Sequence, residues 1–160
     1  HRIAAGGDDG SLRVWRVASA SECCQPLEHP RSVTAVAAID ADRVVTGCAD
    51  HAVRVWGLAA AECVLTLPGH AGPVAAVTVL GCGRIVSGAR DGILKLWALF
   101  VTEGAHRGTC VQIMAGHAGD VHAVASLGTD CVASGGDDGA CKVHTLVPAP
   151  LFLDEDAELE

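Results

Sequence analysis

The chain contains three tryptophans, Trp15, Trp56 and Trp97, and they stand 41 residues apart. The ten residues leading to each align as GGDDGSLRVW, GCADHAVRVW and GARDGILKLW, and a fourth copy, GGDDGACKVH, ends on His144 where the next Trp would be. A histidine, His29, His70 or His117, precedes the later three markers by 27 residues each time. A fixed period in the range of about 20 to 50 residues constrains architecture more than any other sequence feature, because each repeat must be a supersecondary unit that stacks on its neighbours.

Within one period the residues read as short strands. In the third copy VAAVTVL (74–80), RIVSGA (84–89) and ILKLW (93–97) are β-prone runs separated by GCG and RDG, both turn chemistry. A fourth strand is expected before each histidine, at CCQPL, CVLTL and CVQIM. These runs are apolar without clean alternation, which requires both sheet faces to be buried. The one helix-compatible stretch, 58–63, is too short to hold as a helix and reads as a turn into the next strand.

Composition agrees with sheets stacked face to face. Half of the 160 residues are apolar, with two Phe and no Tyr, so the core is built from small, closely packed side chains. Five of the carboxylates behind the net charge of −8 lie in the last seven residues, and no basic patch marks a nucleic-acid partner. No run of 18 apolar residues marks a membrane span. Eight cysteines without a C-x-x-C pair suit reduced core residues, hence a cytoplasmic setting with the nucleus open to it.

The aligned residues resemble the WD-repeat family, in which four strands form a blade and blades stack radially into a propeller. The resemblance covers residues 1–147. It rests on Gly69-His70 and Gly116-His117, with Glu28-His29 as a weaker version. It rests also on the turn aspartates Asp9, Asp50, Asp91 and Asp138, each six residues before the Trp position, and on the hydroxyls Thr46, Ser87 and Ser134 four residues before those. Ala5 replaces the hydroxyl in the first copy, and no Trp is followed by Asp.

The resemblance implies an all-β propeller segment of about four blades, two complete and two partial, from a ring that in this family is commonly seven-bladed. The expected blades span 1–27, 33–67, 74–114 and 121–147, followed by a Pro-containing acidic tail, 148–160. Three, four, four and three strands cannot close such a ring, so a piece of a longer chain, or a second copy completing the ring, is expected. Six extra residues between Trp97 and His117 should bulge from the third-to-fourth-strand connection.

His70, Ser87 and Asp91 have the ingredients of a nucleophilic triad. The set recurs as His29, Thr46, Asp50 and as His117, Ser134, Asp138, whereas an active site is needed once. The resemblance instead makes these groups, with Trp56 and Trp97, a structural hydrogen-bond network, and no catalytic residue is expected. The GGDDG segments lack the alternating ligands of a Ca²⁺ loop and read as hairpin turns whose glycines supply positive φ. Cys23, Cys24 and His106 do not make a metal set, and no cofactor is implied.

Partners of WD-repeat proteins dock on the rim where the fourth-to-first and second-to-third strand loops emerge. By position this rim carries Asp8, Ala49, Arg90 and Asp137 before the turn aspartates, and Arg31, Ala71, Pro73 and Asp120 after the histidines. The patch is mixed but mostly acidic, which favours a peptide or protein partner bearing Lys or Arg. The implied function is a non-catalytic interaction scaffold. The alternatives are the substrate-recognition propeller of an F-box-type ubiquitin ligase subunit and a regulatory appendage of a larger enzyme such as a kinase.

Overall fold

The structure, a computed structural model, describes residues 1–102 and 105–148. Thus 149–160 of the acidic tail, and residues 103–104, lie outside the described residues. The described residues hold strands, turns and bends with no helix, in four antiparallel sheets. The first contains β1 (Arg2–Gly6), β2 (Ser11–Arg16), β3 (Ser21–Glu22) and β4 (Leu27–Glu28). The second runs β5 (Val33–Ala38), β6 (Arg43–Cys48), β7 (Val53–Gly57), β8 (Glu62–Leu67). The third runs β9 (Val74–Leu80), β10 (Arg84–Ala89), β11 (Ile93–Thr102), β12 (Ala105–Ala115). The fourth has β13 (Val121–Ser126), β14 (Cys131–Gly136) and β15 (Cys141–Thr145). These are propeller blades, two complete and two partial, here called blades I to IV.

Blades II and III repeat the same irregularities, and blade IV shares the first of them. Register shifts at Val33/Ala35, Gly88/Ala89 and Val121/Ala123 place a bulge at the start of the first strand pair, and shifts at Val55/Trp56 and Leu96/Trp97 place one beside Trp56 and Trp97. A bulge turns side chains and adds twist, so the indole is aimed inward at a constant position.

Blades touch through a glycine-into-valine contact. A Cβ on Gly6, Gly47 or Gly88 would stand 2.4, 2.6 or 2.5 Å from Cγ1 of Val33, Val74 or Val121, the first residue of the next blade. These second-strand glycines therefore admit the neighbouring blade, whereas positive φ belongs to Gly10, Gly92 and Gly139 at the turns. Of the glycines expected to supply positive φ in the first GGDDG segment, Gly10 does so, whereas Gly6 makes room for Val33.

The core is divided among the blade interfaces. Between blades II and III it contains Val45, Val53, Val55, Leu67, Val74, Ile85 and Trp97, and between III and IV Val86, Leu94, Leu96, Met114, Val121 and Val132. The outer faces of blades I and IV leave the same positions open. Ile85 is 0% exposed but its counterpart Ile3 is 57%, Leu80 is 4% but Leu127 is 56%, and Leu96 is 0% but Val143 is 65%.

On the side of the sheets away from the rim, an arginine at the start of a second strand grips the following blade. Arg2 donates to the Ala41 carbonyl at 2.9 Å beside Asp42. Arg84, 3% exposed, donates to the carbonyls of Val147 at 3.0 Å and Thr129 at 2.6 Å, next to Asp130. Arg43, at the corresponding place in blade II, pairs with Asp40 of its own blade instead.

Three sequence expectations change. The outer strand of blade I is not a continuous CCQPL: β3 and β4 bracket residues 23–26, where Pro26 has no N–H for the ladder. The six extra residues of the third repeat do not bulge as a loop but lengthen β11 and β12 into a hairpin paired out to Thr102 and Ala105. Of the eight cysteines only Cys48 is buried; Cys63, Cys82 and Cys141 are exposed, because they lie on an outer strand, in a turn and on the open face of blade IV.

Candidate functional site

The loops that enter each blade meet the turns between its second and third strands at one end of the sheets. Blade III shows the full geometry. His70, between β8 and β9, has Nε2 2.8 Å from the Ser87 hydroxyl and Nδ1 3.1 Å from Asp91. Trp97 donates its indole N–H to the same hydroxyl at 2.8 Å. Asp91 also accepts the backbone N–H groups of Ala71 and Ile93 at 2.8 and 3.0 Å, tying the entering loop to the turn.

The proton arrangement follows from the partners. Burial pushes the pKa of His70 down, so the ring is neutral. Its Nδ1 faces a carboxylate and carries the hydrogen, which leaves Nε2 to accept from Ser87 O–H, whose oxygen accepts from the indole. Asp91 lies below the usual carboxylate range: burial pushes the other way and is overcome by the N–H groups of Ala71 and Ile93 and by His70.

Blade IV builds the same set with one exchange. His117 joins Ser134 at 2.7 Å and Asp138 at 2.9 Å, and His144 Nε2, in the place of the indole, lies 2.8 Å from the Ser134 hydroxyl. Asp138 is held well below the usual range by His117 first, then by the Ala140 and Ala118 N–H groups. Burial, helped by the neighbouring Lys142 ammonium, pushes His144 down, and a neutral imidazole N–H there can donate to the Ser134 hydroxyl as the indole does to Ser87.

Blade II has every sequence marker but a different geometry. His29 Nε2 and the Trp56 indole meet the Thr46 hydroxyl at 2.8 and 3.1 Å, yet His29 Nδ1 turns to the Leu27 carbonyl at 3.0 Å. Asp50 is taken by the forked guanidinium of Arg54, which holds its pKa down at about 2. Two sequence signals account for this. Pro30 stands where Ala71 and Ala118 offer an N–H, and Arg54 stands where blades III and IV carry Lys95 and Lys142. In blade I, Asp9 caps its own turn through Ser11 at 2.9 and 2.7 Å.

The rim candidates fall on these loops and turns. Asp8, Arg31, Ala71, Arg90 and Asp137 are exposed, and Ala49, Pro73 and Asp120 are half-buried. Backbone bonds join Arg90 to Pro73 at 2.9 Å, Asp137 to Asp120 at 3.0 Å and Ala49 to Ser32 at 3.0 Å. Arg90 of blade III reaches Asp120 of blade IV at 3.6 Å. The turns also interlock with the next loop, since a Cβ on Gly10 would stand 2.8 Å from the His29 carbonyl and one on Gly92 2.7 Å from that of His117. Sequence reasoning missed His122, whose Nε2 lies 2.5 Å from Asp137, and His51, which holds φ 73 at the turn position where the other blades have glycine. The second was legible as the H in GCADH.

Cys23 and Cys24 lie in blade I and His106 in the hairpin of blade III, so the structure does not gather them. No helix among the described residues is long and apolar enough to cross a membrane.

Comparison with known proteins gives a consistent picture. Among curated proteins no sequence matches the chain. Among solved structures, the chain is similar to the computationally designed Ika4 protein, at TM-score 0.77 and 28% identity, covering 91% of this chain and 86% of that one. It is also similar in fold to U3-55K, at TM-score 0.78 and 22% identity, covering 91% of this chain but 45% of the other. The WD domain, G-beta repeat, is matched at residues 21–57, 61–98 and 108–145, which together make up most of the sequence. With three matched repeats, four antiparallel sheets and the His, hydroxyl and Asp positions recurring in register, the chain belongs to the WD-repeat family.

Proposed function

We propose that this segment, as one of the WD-repeat domains, which are protein-interaction propellers generally without catalysis of their own, is a non-catalytic scaffold that docks a protein or peptide on the rim carrying Asp8, Arg31, Ala49, Ala71, Pro73, Arg90, Asp120 and Asp137. The observation that carries this is the continuity of that rim across blades, seen in the Arg90–Asp120 pair and in Gly92 seated against the loop of the next blade. Three carboxylates against two guanidinium groups favour a partner segment bearing Lys or Arg.

The histidine sets support stability and not chemistry. The Ser87 and Ser134 hydroxyls are each committed on both sides, to an imidazole and to an indole or second imidazole, which supports a structural role for these sets. The open faces of blades I and IV, with Ile3, Leu127 and Val143 exposed, support further blades completing the ring, from the same longer chain or from a second copy. The test is a pull-down with the chain as bait, followed by affinity measurement for the recovered partner with Arg90→Glu/Asp137→Lys. A loss of at least about 10-fold supports the rim. Unchanged affinity removes this face from consideration.

A further inference from the structure

The residues that lengthen the third repeat build a second surface at the opposite end of the sheets from the rim. β11 and β12 run past the blade edge and lean on blade II: a Cβ on Gly108 would stand 2.6 Å from Leu67, 2.9 Å from Leu65 and 3.1 Å from Leu99. Under the hairpin lies a cavity of about 200 Å³. Its apolar lining comes from Ile39, Val55, Leu65, Leu99, Phe100 and Val101. An apolar cavity of about 150 Å³ already accepts a benzene ring, so one large side chain fits.

The same cavity is bordered by Arg43, His106 and Arg107. Arg43 is committed to Asp40 at 2.7 Å. Among the described residues neither Arg107, which is exposed, nor His106 is held by an ion pair or side-chain hydrogen bond. An apolar slot therefore opens beside an unspent guanidinium, and Val101, 57% exposed, extends the apolar wall to the surface. A guanidinium beside an apolar wall pairs with a carboxylate in a lower dielectric than bulk water, and does so with two parallel hydrogen bonds.

We propose that this cleft is a docking site for an acidic peptide segment of a protein partner, which inserts one apolar side chain between Leu65 and Leu99 and sets a neighbouring carboxylate on Arg107. The site is independent of the rim, so the two readings fail separately.

The probe is the blocked peptide acetyl-Asp-Asp-Leu-Asp-Asp-amide, titrated to millimolar concentration while amide shifts of the labelled chain are followed. Saturable shifts grouped at Leu65, Gly83, Leu99 and Arg107 are expected. The Ala-centred peptide and the peptide with Lys in place of Asp should each bind at least about 10-fold more weakly, and Arg107→Glu should weaken the parent peptide to a similar degree. Arg107→Lys should retain part of the affinity, and Arg90→Glu on the rim should leave it unchanged. Shifts scattered over the surface, equal binding of the Lys peptide, or indifference to Arg107→Glu would overturn the assignment. The exposed position of Arg107 and the amide spectrum itself keep loss of folding from being mistaken for loss of binding.

Discussion

A double-mutant comparison separates the geometry of blade III from that of blade II, which share the same sequence markers. Asp91→Ala removes the acceptor for His70 Nδ1–H and for two backbone N–H groups. The His70 side chain is 0% exposed and Asp91 11%, so water does not replace the lost partner well. A buried donor left unpaired costs about 1 to 3 kcal/mol, and with the backbone bonds Asp91→Ala should destabilise by about 2 to 4 kcal/mol. Asp50→Ala loses the Ala52 N–H and the Arg54 fork, and Arg54 can turn toward solvent, so a cost of about 1 to 2 kcal/mol follows. The sharper quantity is the coupling to the histidine. The His70→Ala/Asp91→Ala cycle should return about 1 to 2 kcal/mol, and the His29→Ala/Asp50→Ala cycle less than about 0.5 kcal/mol, in urea unfolding by linear extrapolation. Equal couplings in the two blades would refute the claim that Pro30 and Arg54 divert Asp50 from His29.

Acidification and turn strain supply the remaining predictions. Burial lowers the folded-state pKa of His29, His70 and His144 below the ordinary 6.5, so the unfolded chain binds protons first as pH falls. Their contribution is complete above that value and is lost below it as pH falls toward the folded values, with a slope approaching about 1.4 kcal/mol per pH unit per histidine. Thermal unfolding at pH 5 and pH 7 should show the chain less stable at pH 5, and equal stability would contradict neutral buried rings. At His51, φ is 73 where the other turns have glycine. His51→Gly should stabilise by about 0.5 to 1 kcal/mol by relieving the left-handed conformation, and a fall in melting temperature would show that the histidine ring holds the turn.

The fold was legible because it rests on spacing. The 41-residue interval between tryptophans fixes how often a blade must begin, and the bulges beside Trp56 and Trp97 stand at that interval. What escaped was competition for shared partners. His144 looks like a lost marker, yet an imidazole N–H can donate to Ser134 much as an indole does. Asp50 looks like a complete marker, yet a forked cation four residues on and a proline after the histidine remove its place in the set. The extended hairpin was legible as six extra residues but not as strand, since pairing of 98–102 with 105–109 depends on support from blade II.

The grip of Arg84 on the following blade has a consequence for which changes the chain can tolerate. Both of its short bonds go to main-chain carbonyls, at Thr129 and Val147. Any residue placed at 129 or 147 presents the same oxygen, so those two positions are free to drift while the contact persists. Position 84 has no such latitude. This one grip between the two blades is thus set by the residue at 84 and read out mainly against backbone, with the Asp130 carboxylate beside it.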